Sequence, residues 1–217
     1  MIFCSRSTLA AVAALACATF TMTTASPVFA QKAADLMKMI EIERPAEVRA
    51  QLRRGVSPDS VDERGDSALV VASRSGQLEV AQILVEGGAK VNLRNTWGDT
   101  ALMVAALNGR DKIVRYLRGK GGDVNNAGWT ALHYAAVNGH AAIAKYLMDQ
   151  GANPLASSPN GVTPLMMAAR ENKTEVVKVL LEYGADIAQK NDKGETAYDW
   201  AVREEHKPAI ELLKNAR

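Results

Sequence analysis

Residues 98–125 read GDTALMVAALNGRDKIVRYLRGKGGDVN, and this stretch decides the fold. Gly98 favours a tight turn, and Thr100 can cap a helix by accepting from exposed backbone N–H groups. Apolar residues then recur at helical spacing, first directly after Thr100 and again from Ile113 onward. Between the two runs, Asn108-Gly109 ends the first helix, because both residues tolerate left-handed backbone geometry. The stretch therefore predicts two short helices joined by a turn.

The same pattern occurs five times along the chain. Each copy has a glycine, a Ser or Thr two residues later, a small residue and, in four copies, Leu, ahead of an amphipathic stretch. The five leading glycines are separated by 33, 30, 33 and 33 residues; they are Gly65, Gly98, Gly128, Gly161 and Gly194. A period near 33 residues is typical of stacked-repeat proteins, in which each helix pair buries its faces against its neighbours.

Several short motifs at this one period resemble the ankyrin-repeat family. Ala105-Ala106 before Gly109 is repeated as Ala135-Ala136 before Gly139, and Leu180-Leu181 precedes Gly184-Ala185. The resemblance covers most of the chain after residue 30. It implies an all-α fold, an ankyrin-repeat solenoid of stacked helix-turn-helix units with projecting β-turns or hairpins. It also implies a protein that binds other proteins and is not an enzyme.

The repeat register divides the chain into units. Four full repeats are predicted at residues 62–94, 95–124, 125–157 and 158–190. Charged side chains surround the few apolar positions of the terminal units 32–61 and 191–217, so we interpret these units as solvent-facing caps.

Residues 1–30 have the pattern of a secretory signal peptide. They contain one Arg, no acidic residue, an apolar stretch from Leu9 to about Phe20, and the ending Val28-Phe29-Ala30. The apolar stretch is shorter than the ~20 residues that span a bilayer. We therefore expect cleavage after Ala30 and a periplasmic chain without a membrane anchor. The alternative is a lipoprotein modified at Cys17, because Ala14 to Cys17 loosely resembles a lipid-modification box.

Composition after cleavage limits the classes of function. Both cysteines of the chain lie in the leader, so the mature protein could form no disulfide, thiol nucleophile or cysteine metal site. Without Arg6, 25 basic residues stand against 24 acidic ones. This balance offers no electrostatic reason to bind nucleic acid or a membrane surface. We expect no cofactor and no metal, and a monomer.

Motifs with catalytic or metal-binding spacing are not evident, since the chain has no nucleophile elbow, phosphate loop or paired histidines. The resemblance places His133 at the histidine of the T-P-L-H motif and implies a hydrogen bond between adjacent repeats, with a metal or catalytic role as the alternative. An alternative of another class is a hydrolase that uses the turn carboxylates Asp66, Asp99 and Glu195. Their equivalent places in different repeats argue against a paired acid and base.

The candidate binding surface follows from the resemblance, which implies that a partner meets the turn tips and the inner ends of the first helices. The residues at these positions are Arg64, Asp66, Arg74, Thr96, Trp97, Asp99, Leu107, Asn108, Val137, Asn138, Asn160, Arg170 and Lys193. Trp97 is singled out because it lies at a turn tip and Trp is enriched among binding hot spots. The alternative is that its ring folds over its own hairpin. Trp129 and Trp200 are interpreted as structural.

One connection departs from the pattern, because the segment from Asn125 to Gly128 is three residues shorter than that from Asn92 to Gly98. The row of turn tips should therefore have a notch. The shortening is either a tolerated loop deletion or an opening for a protruding element of a partner.

The leading hypothesis for function is a non-enzymatic periplasmic module that binds another protein through its concave face. The resemblance suggests an accessory or protective factor for a periplasmic or secreted protein. An immunity protein that neutralises an exported toxin is the alternative within the binding class.

Overall fold

The computed structural model describes residues 27–216. Within that range the chain forms twelve α-helices, and its one β-type pairing is an isolated antiparallel bridge between Val61 and Ser67. The helices are α1 (Pro27–Glu41), α2 (Pro45–Arg53), α3 (Ala68–Ser75), α4 (Leu78–Glu86), α5 (Ala101–Leu107), α6 (Asp111–Gly119), α7 (Ala131–Asn138), α8 (Ala141–Asp149), α9 (Pro164–Arg170), α10 (Thr174–Glu182), α11 (Ala197–Arg203) and α12 (Lys207–Asn215). None of these helices has both the length and the apolar character needed to cross a bilayer. The predicted all-α solenoid of helix pairs is confirmed.

The first helix of each full repeat begins at the predicted capping residue. The Oγ1 of Thr100 accepts from the N–H of Met103 at 3.3 Å, and Ser67 accepts in the same way from Val70. Capping satisfies one of the N–H groups that a helix start leaves without a partner. The register inferred from the five glycines therefore places these helix starts correctly.

The second helices are tied to the repeat that precedes them. The Nε of Arg110 donates to the carbonyl of Arg74 at 3.1 Å, and His140 Nε2 lies 3.1 Å from the carbonyl oxygen of Leu107. A Cβ added to Gly109 would lie 2.6 Å from the His140 ring. Gly109 therefore has two roles, since it adopts a positive φ at the helix end and leaves room for the side chain of the next repeat.

The core runs along the stack between the two layers of helices. Leu102 and Leu132 are fully buried, as predicted, and the small residues Ala105 and Ala135 are buried beside them. Each first helix from α3 to α11 contacts the next one closely, whereas α4, α6 and α8 touch one another at few positions. Interaxial distance depends on the side chains at the contact, so these alanines let the first helices approach and form the inner, concave side.

Polar side chains in the loops also connect neighbouring repeats. Asn92 donates to the carbonyl of Gly121 at 3.0 Å and accepts from the N–H of Asp123 at 2.9 Å. Asn125, 33 residues later, makes the equivalent pair of bonds to Gly151 and Asn153. The sequence analysis did not assign this ladder, although the spacing of the two asparagines was the available signal.

The first helix of the N-terminal unit begins before the start predicted for that unit, whose boundary stays a prediction. Helix α1 begins at Pro27, not at residue 32, so its backbone continues across the expected cleavage position after Ala30. Leu36, Ile40 and Val48 form the buried side of this unit, which confirms that its apolar residues pack onto the stack. Residues 1–26 of the predicted leader, which comprises residues 1–30, lie outside the described residues, and the cleavage stays a prediction.

Candidate functional site

The projecting turns are held in shape by an Asn, Asp or Ser at their first residue. In the second repeat, Asn95 Oδ1 accepts from the N–H groups of Trp97 at 3.0 Å and Asp99 at 2.8 Å. Asp62 and Asn191 do the same in their own turns, and Ser158 accepts one such bond. Short polar side chains of this type stabilise turns by replacing backbone acceptors. The turn tips are therefore preorganised surfaces.

The third turn lacks this arrangement. In the second turn a backbone N–H of Asn95 donates to the carbonyl of Asp99 at 2.9 Å, and the first, fourth and fifth hairpins have an equivalent bond. Within the described residues no such bond closes the segment from Asn125 to Trp129. The short connection therefore lacks the bond that closes the other turns, and the notch in the row of turn tips stays a prediction.

Trp97 projects from the second turn, and 71% of its surface is exposed. This degree of exposure does not fit the alternative in which the ring folds over its own hairpin. Large aromatic side chains exposed in this way are typical anchors of protein interfaces, because they offer apolar area at a small cost in side-chain entropy.

Two apolar side chains continue the candidate surface along the inner ends of the first helices. Leu107 and Val137 are half-buried and stand nine residues after their turn glycines. The same register position holds Arg74 on one side of them and Arg170 on the other. The centre of the inner face is therefore apolar, and cations flank it on both sides.

The predicted site residues differ in exposure, and Asp66 is the one that is buried. Asp66 is only 4% exposed, since its carboxylate is bonded to Arg74 and accepts from Asn95 Nδ2 at 2.7 Å. An acidic side chain with both oxygens engaged inside the protein stabilises the turn and is not available to a partner. The exposed site residues are Arg64, Thr96, Trp97, Asn108, Asn138, Asn160 and Lys193, and the half-buried ones are Arg74, Asp99, Leu107, Val137 and Arg170.

Asp99 has an internal partner as well. The hydroxyl of Tyr134, from the next repeat, donates to Asp99 Oδ1 at 2.6 Å. Partial burial, together with this carboxylate, raises the pKa of Tyr134 well above its ordinary value. Tyr134 in turn stacks on Trp129, which also meets the edge of the His133 ring, so Trp129 has the predicted structural contacts.

The C-terminal end of the inner face is a cluster around Trp200. This ring is nearly buried, and the guanidinium carbons of Arg170 and Arg203 each lie 5.5 Å from its centre. Glu195 accepts from Asn191 Nδ2 at 3.0 Å, from the Trp200 indole at 2.7 Å and from Arg203 at 2.6 Å. Hydrogen bonds from Asn191 and then Trp200 lower the pKa of the Glu195 carboxyl. Each of the three turn carboxylates considered for catalysis is thus bonded to its own or an adjacent repeat.

His133 joins two repeats, as the resemblance implied. Its Nε2 lies 3.0 Å from the carbonyl oxygen of Val162, and its Nδ1 lies 3.2 Å from the backbone nitrogen of Thr130. Because the carbonyl can only accept and the Thr130 N–H can only donate, the ring is neutral with its proton on Nε2. Burial lowers the pKa of His133 to about 4. Among the described residues, no group of three or more histidine, cysteine or acidic side chains is arranged to hold a metal ion.

Comparison with known proteins identifies the repeats. A family model described as "Ankyrin repeats (3 copies)" matches residues 36–127, 87–158 and 152–217. The mitochondrial disaggregase of Bos taurus is 43% identical over 60 residues, which are 28% of this chain and 9% of that protein. Synphilin-1 of Mus musculus is 42% identical over 64 residues, 30% of this chain and 7% of that protein. Protein phosphatase 1 regulatory subunit 27 of Mus musculus is 39% identical over 74 residues, 34% of this chain and 48% of that protein. Each matched stretch spans less than half the length of the relative.

Proposed function

The chain belongs to the ankyrin-repeat family, whose repeats form protein-interaction modules, and from this premise we propose that it is an exported accessory or protective protein. It binds one periplasmic or secreted protein through its inner face, without catalysis. The inner face is defined here by Trp97, Leu107 and Val137 with the polar residues around them.

The exposure of Trp97 carries this proposal. An indole that is 71% exposed at the tip of a preorganised turn has no packing role in the stack. Leu107, at the inner end of α5 in the same repeat, adds a second partly exposed apolar side chain, and Arg64, Arg74 and Asn108 offer polar groups on the same face. Interfaces combine an apolar centre with a polar rim in this way.

The accessory role is supported by the type of relative and by the leader. One mouse relative, protein phosphatase 1 regulatory subunit 27, is by its name a regulatory subunit of another protein. Residues 1–30 have the signal-peptide pattern, and cysteine is confined to that segment, as suits an oxidising compartment.

Capture from periplasmic extract with matched variants tests the proposal. The mature chain, its Leu107→Glu variant and its Lys178→Ala variant serve as bait, and bound proteins are compared by quantitative mass spectrometry. Leu107 lies on the inner face, whereas Lys178 is exposed on the outer helix α10. A partner retained by wild type and Lys178→Ala but lost from Leu107→Glu supports the proposal. A set of captured proteins that is the same for all three baits contradicts it.

A further inference from the structure

At two of the four junctions between successive projecting turns, a hydrogen bond joins one turn to the next. The carbonyl oxygen of Arg64, one residue before the first turn glycine, accepts from Thr96 Oγ1 at 2.9 Å. The carbonyl oxygen of Asn160, in the same position of the fourth repeat, accepts from the N–H of Asp192 at 3.2 Å. Both donors stand two residues before the glycine of the following turn. These two bonds show how a projecting turn packs against the turn that follows it.

The second turn has no such neighbour. The carbonyl oxygen of Trp97 is in the equivalent position, and no donor from the described residues reaches it. A Cβ added to Gly65 would lie 2.3 Å from Thr96, and one added to Gly161 would lie 3.0 Å from the Cα of Asn191. A Cβ on Gly98 would meet nothing closer than Arg94, four residues earlier in the chain, at 3.9 Å. The side of the second turn that faces the third repeat is open.

The short third connection accounts for this opening. Asn126 stands two residues before Gly128, where a donor to Trp97 would be expected, but its Nδ2 donates to Asp123 of its own loop at 3.2 Å. Asn125 is held by its hydrogen bonds to Gly151 and Asn153 in the following loop. We call the opening the gap, and define it by Trp97, Gly98 and the shortened connection at residues 125–129.

We propose that the gap receives a projecting β-turn of the protein partner, which takes the place of the missing third turn. The inserted turn donates a hydroxyl or backbone N–H to the Trp97 carbonyl and packs an apolar side chain on the Trp97 indole. This inference rests on the proposed function, because it assumes a protein partner and names the element of that partner which docks.

Charge at the gap favours an uncharged turn as the occupant. Arg94 Nη1 donates to the carbonyl of Gly98 at 2.7 Å, and Asp99 accepts from the Tyr134 hydroxyl. Both charged side chains beside the gap are therefore already hydrogen-bonded within the protein. The Trp97 carbonyl oxygen and the Trp97 indole remain for a partner. A polar turn can donate a hydrogen bond to the carbonyl, and one apolar side chain on that turn can pack on the indole.

A filled-gap variant provides the direct test. Asn126-Ala127 is replaced by the five residues of the fourth repeat's turn region, Ala156 to Asn160, which restores the full turn length. The matched control gains the same number of residues, three, by an insertion between Asp192 and Lys193 of the last turn, which no further turn follows. The probe is a peptide with the sequence of residues 157–163 between two added terminal cysteines, which are oxidised to a disulfide that closes the turn. This turn is of the kind that the stack already accommodates.

Binding is read from the NMR resonance of the Trp97 indole N–H, assigned with the variant Trp97→Phe. The peptide is expected to shift this resonance in wild type and in the control, and to bind the filled-gap variant about tenfold more weakly or worse. No shift at about 1 mM peptide, or equal binding by the filled-gap variant, overturns the inference.

The partner obtained by capture separates this inference from the proposed function. If Leu107→Glu abolishes binding and the filled-gap variant binds as wild type does, the proposed function stands and the gap is not the docking point. If none of the baits retains a specific protein, the proposed function itself fails. Sedimentation that shows a dimer of wild type and a monomer of the filled-gap variant assigns the gap to a second copy and overturns the partner named here.

Discussion

The Nε2 of His133 lies 3.0 Å from the carbonyl oxygen of Val162, so one side chain connects two successive repeats. The His133 side chain is fully buried, and the opposite ring nitrogen faces the N–H of Thr130. Only the neutral ring suits both neighbours. Stability of the stack is therefore coupled to the protonation of this histidine.

Acidification should destabilise the protein through His133. The pKa of this side chain is about 4 in the folded chain, below its ordinary value of 6.5. Since the unfolded chain binds the proton more readily, stability is complete above about pH 6.5 and falls as the pH drops toward 4. The loss should reach up to about 3 kcal/mol. Urea unfolding at several pH values measures it.

His133→Met is the matched control for that pH dependence. Met103 and Met166 occupy the same position in other repeats, where their sulfur atoms accept the N–H of the capping threonine at 3.4 and 3.5 Å. The variant should lose the fall in stability between pH 6.5 and 4 that is due to His133. An unchanged pH profile would assign the effect to other groups.

Leu132→Ala should destabilise the stack by roughly 2–5 kcal/mol, because Leu132 is fully buried and its truncation leaves a cavity. Glu182→Ala, at an exposed position of α10, should change stability by no more than about 0.5 kcal/mol. Urea midpoints of the two variants measure the difference. Similar midpoints would contradict the packing described for the inner helices.

Ser73→Ala should stabilise the protein by about 1 kcal/mol. Ser73 is fully buried, and its hydroxyl has no hydrogen-bond partner. The equivalent positions of the next repeats hold Ala106 and Ala136, so the alanine fits the space between helices. The reverse change Ala106→Ser should lower the melting temperature. A lower melting temperature for Ser73→Ala would show that the hydroxyl has a favourable role.

Trp97→Ala should weaken partner binding by roughly 2 kcal/mol or more. The melting temperature should barely change, because the ring is exposed. Calorimetric titration with the captured partner measures the affinity, and Lys178→Ala should bind as wild type does. Loss of stability with unchanged affinity would mean that the ring is structural and that the centre of the interface lies elsewhere.

The exported protein should begin at Gln31. Mass spectrometry of the protein from periplasmic extract measures the N-terminus directly. Cleavage there would leave residues 31–41 of α1, which include the buried Leu36 and Ile40. A protein that begins at Met1, or at a lipidated Cys17, would contradict the assignment.

The sequence alone determined the repeat architecture. Helix starts, helix ends and buried leucines are local features, since a capping threonine and a glycine with positive φ act within a few residues of their position. A register counted from Gly98 therefore predicted the burial of Leu132 and the helix start at Thr130. The burial of Trp200 and the short connection at residues 125–128 followed from the same register.

The candidate site depended on side-chain contacts between repeats, which the sequence did not reveal. Asp66 has the turn position of a contact residue, yet Arg74 and Asn95 engage its carboxylate. Side-chain pairs of this kind join residues 8 and 29 positions apart, and no local pattern specifies which pairs form.

Sequence therefore determined which elements exist and in what order they stack, because each is encoded by residues close together in the chain. Only the tertiary structure decided which surface side chains and backbone groups stay available to a partner after neighbouring repeats have formed hydrogen bonds with each other. Trp97 shows the difference. The spacing of the glycines predicted its place at a turn tip. Its exposed ring and its carbonyl oxygen without a donor follow from the next connection, residues 125–129, which is three residues shorter and does not reach it.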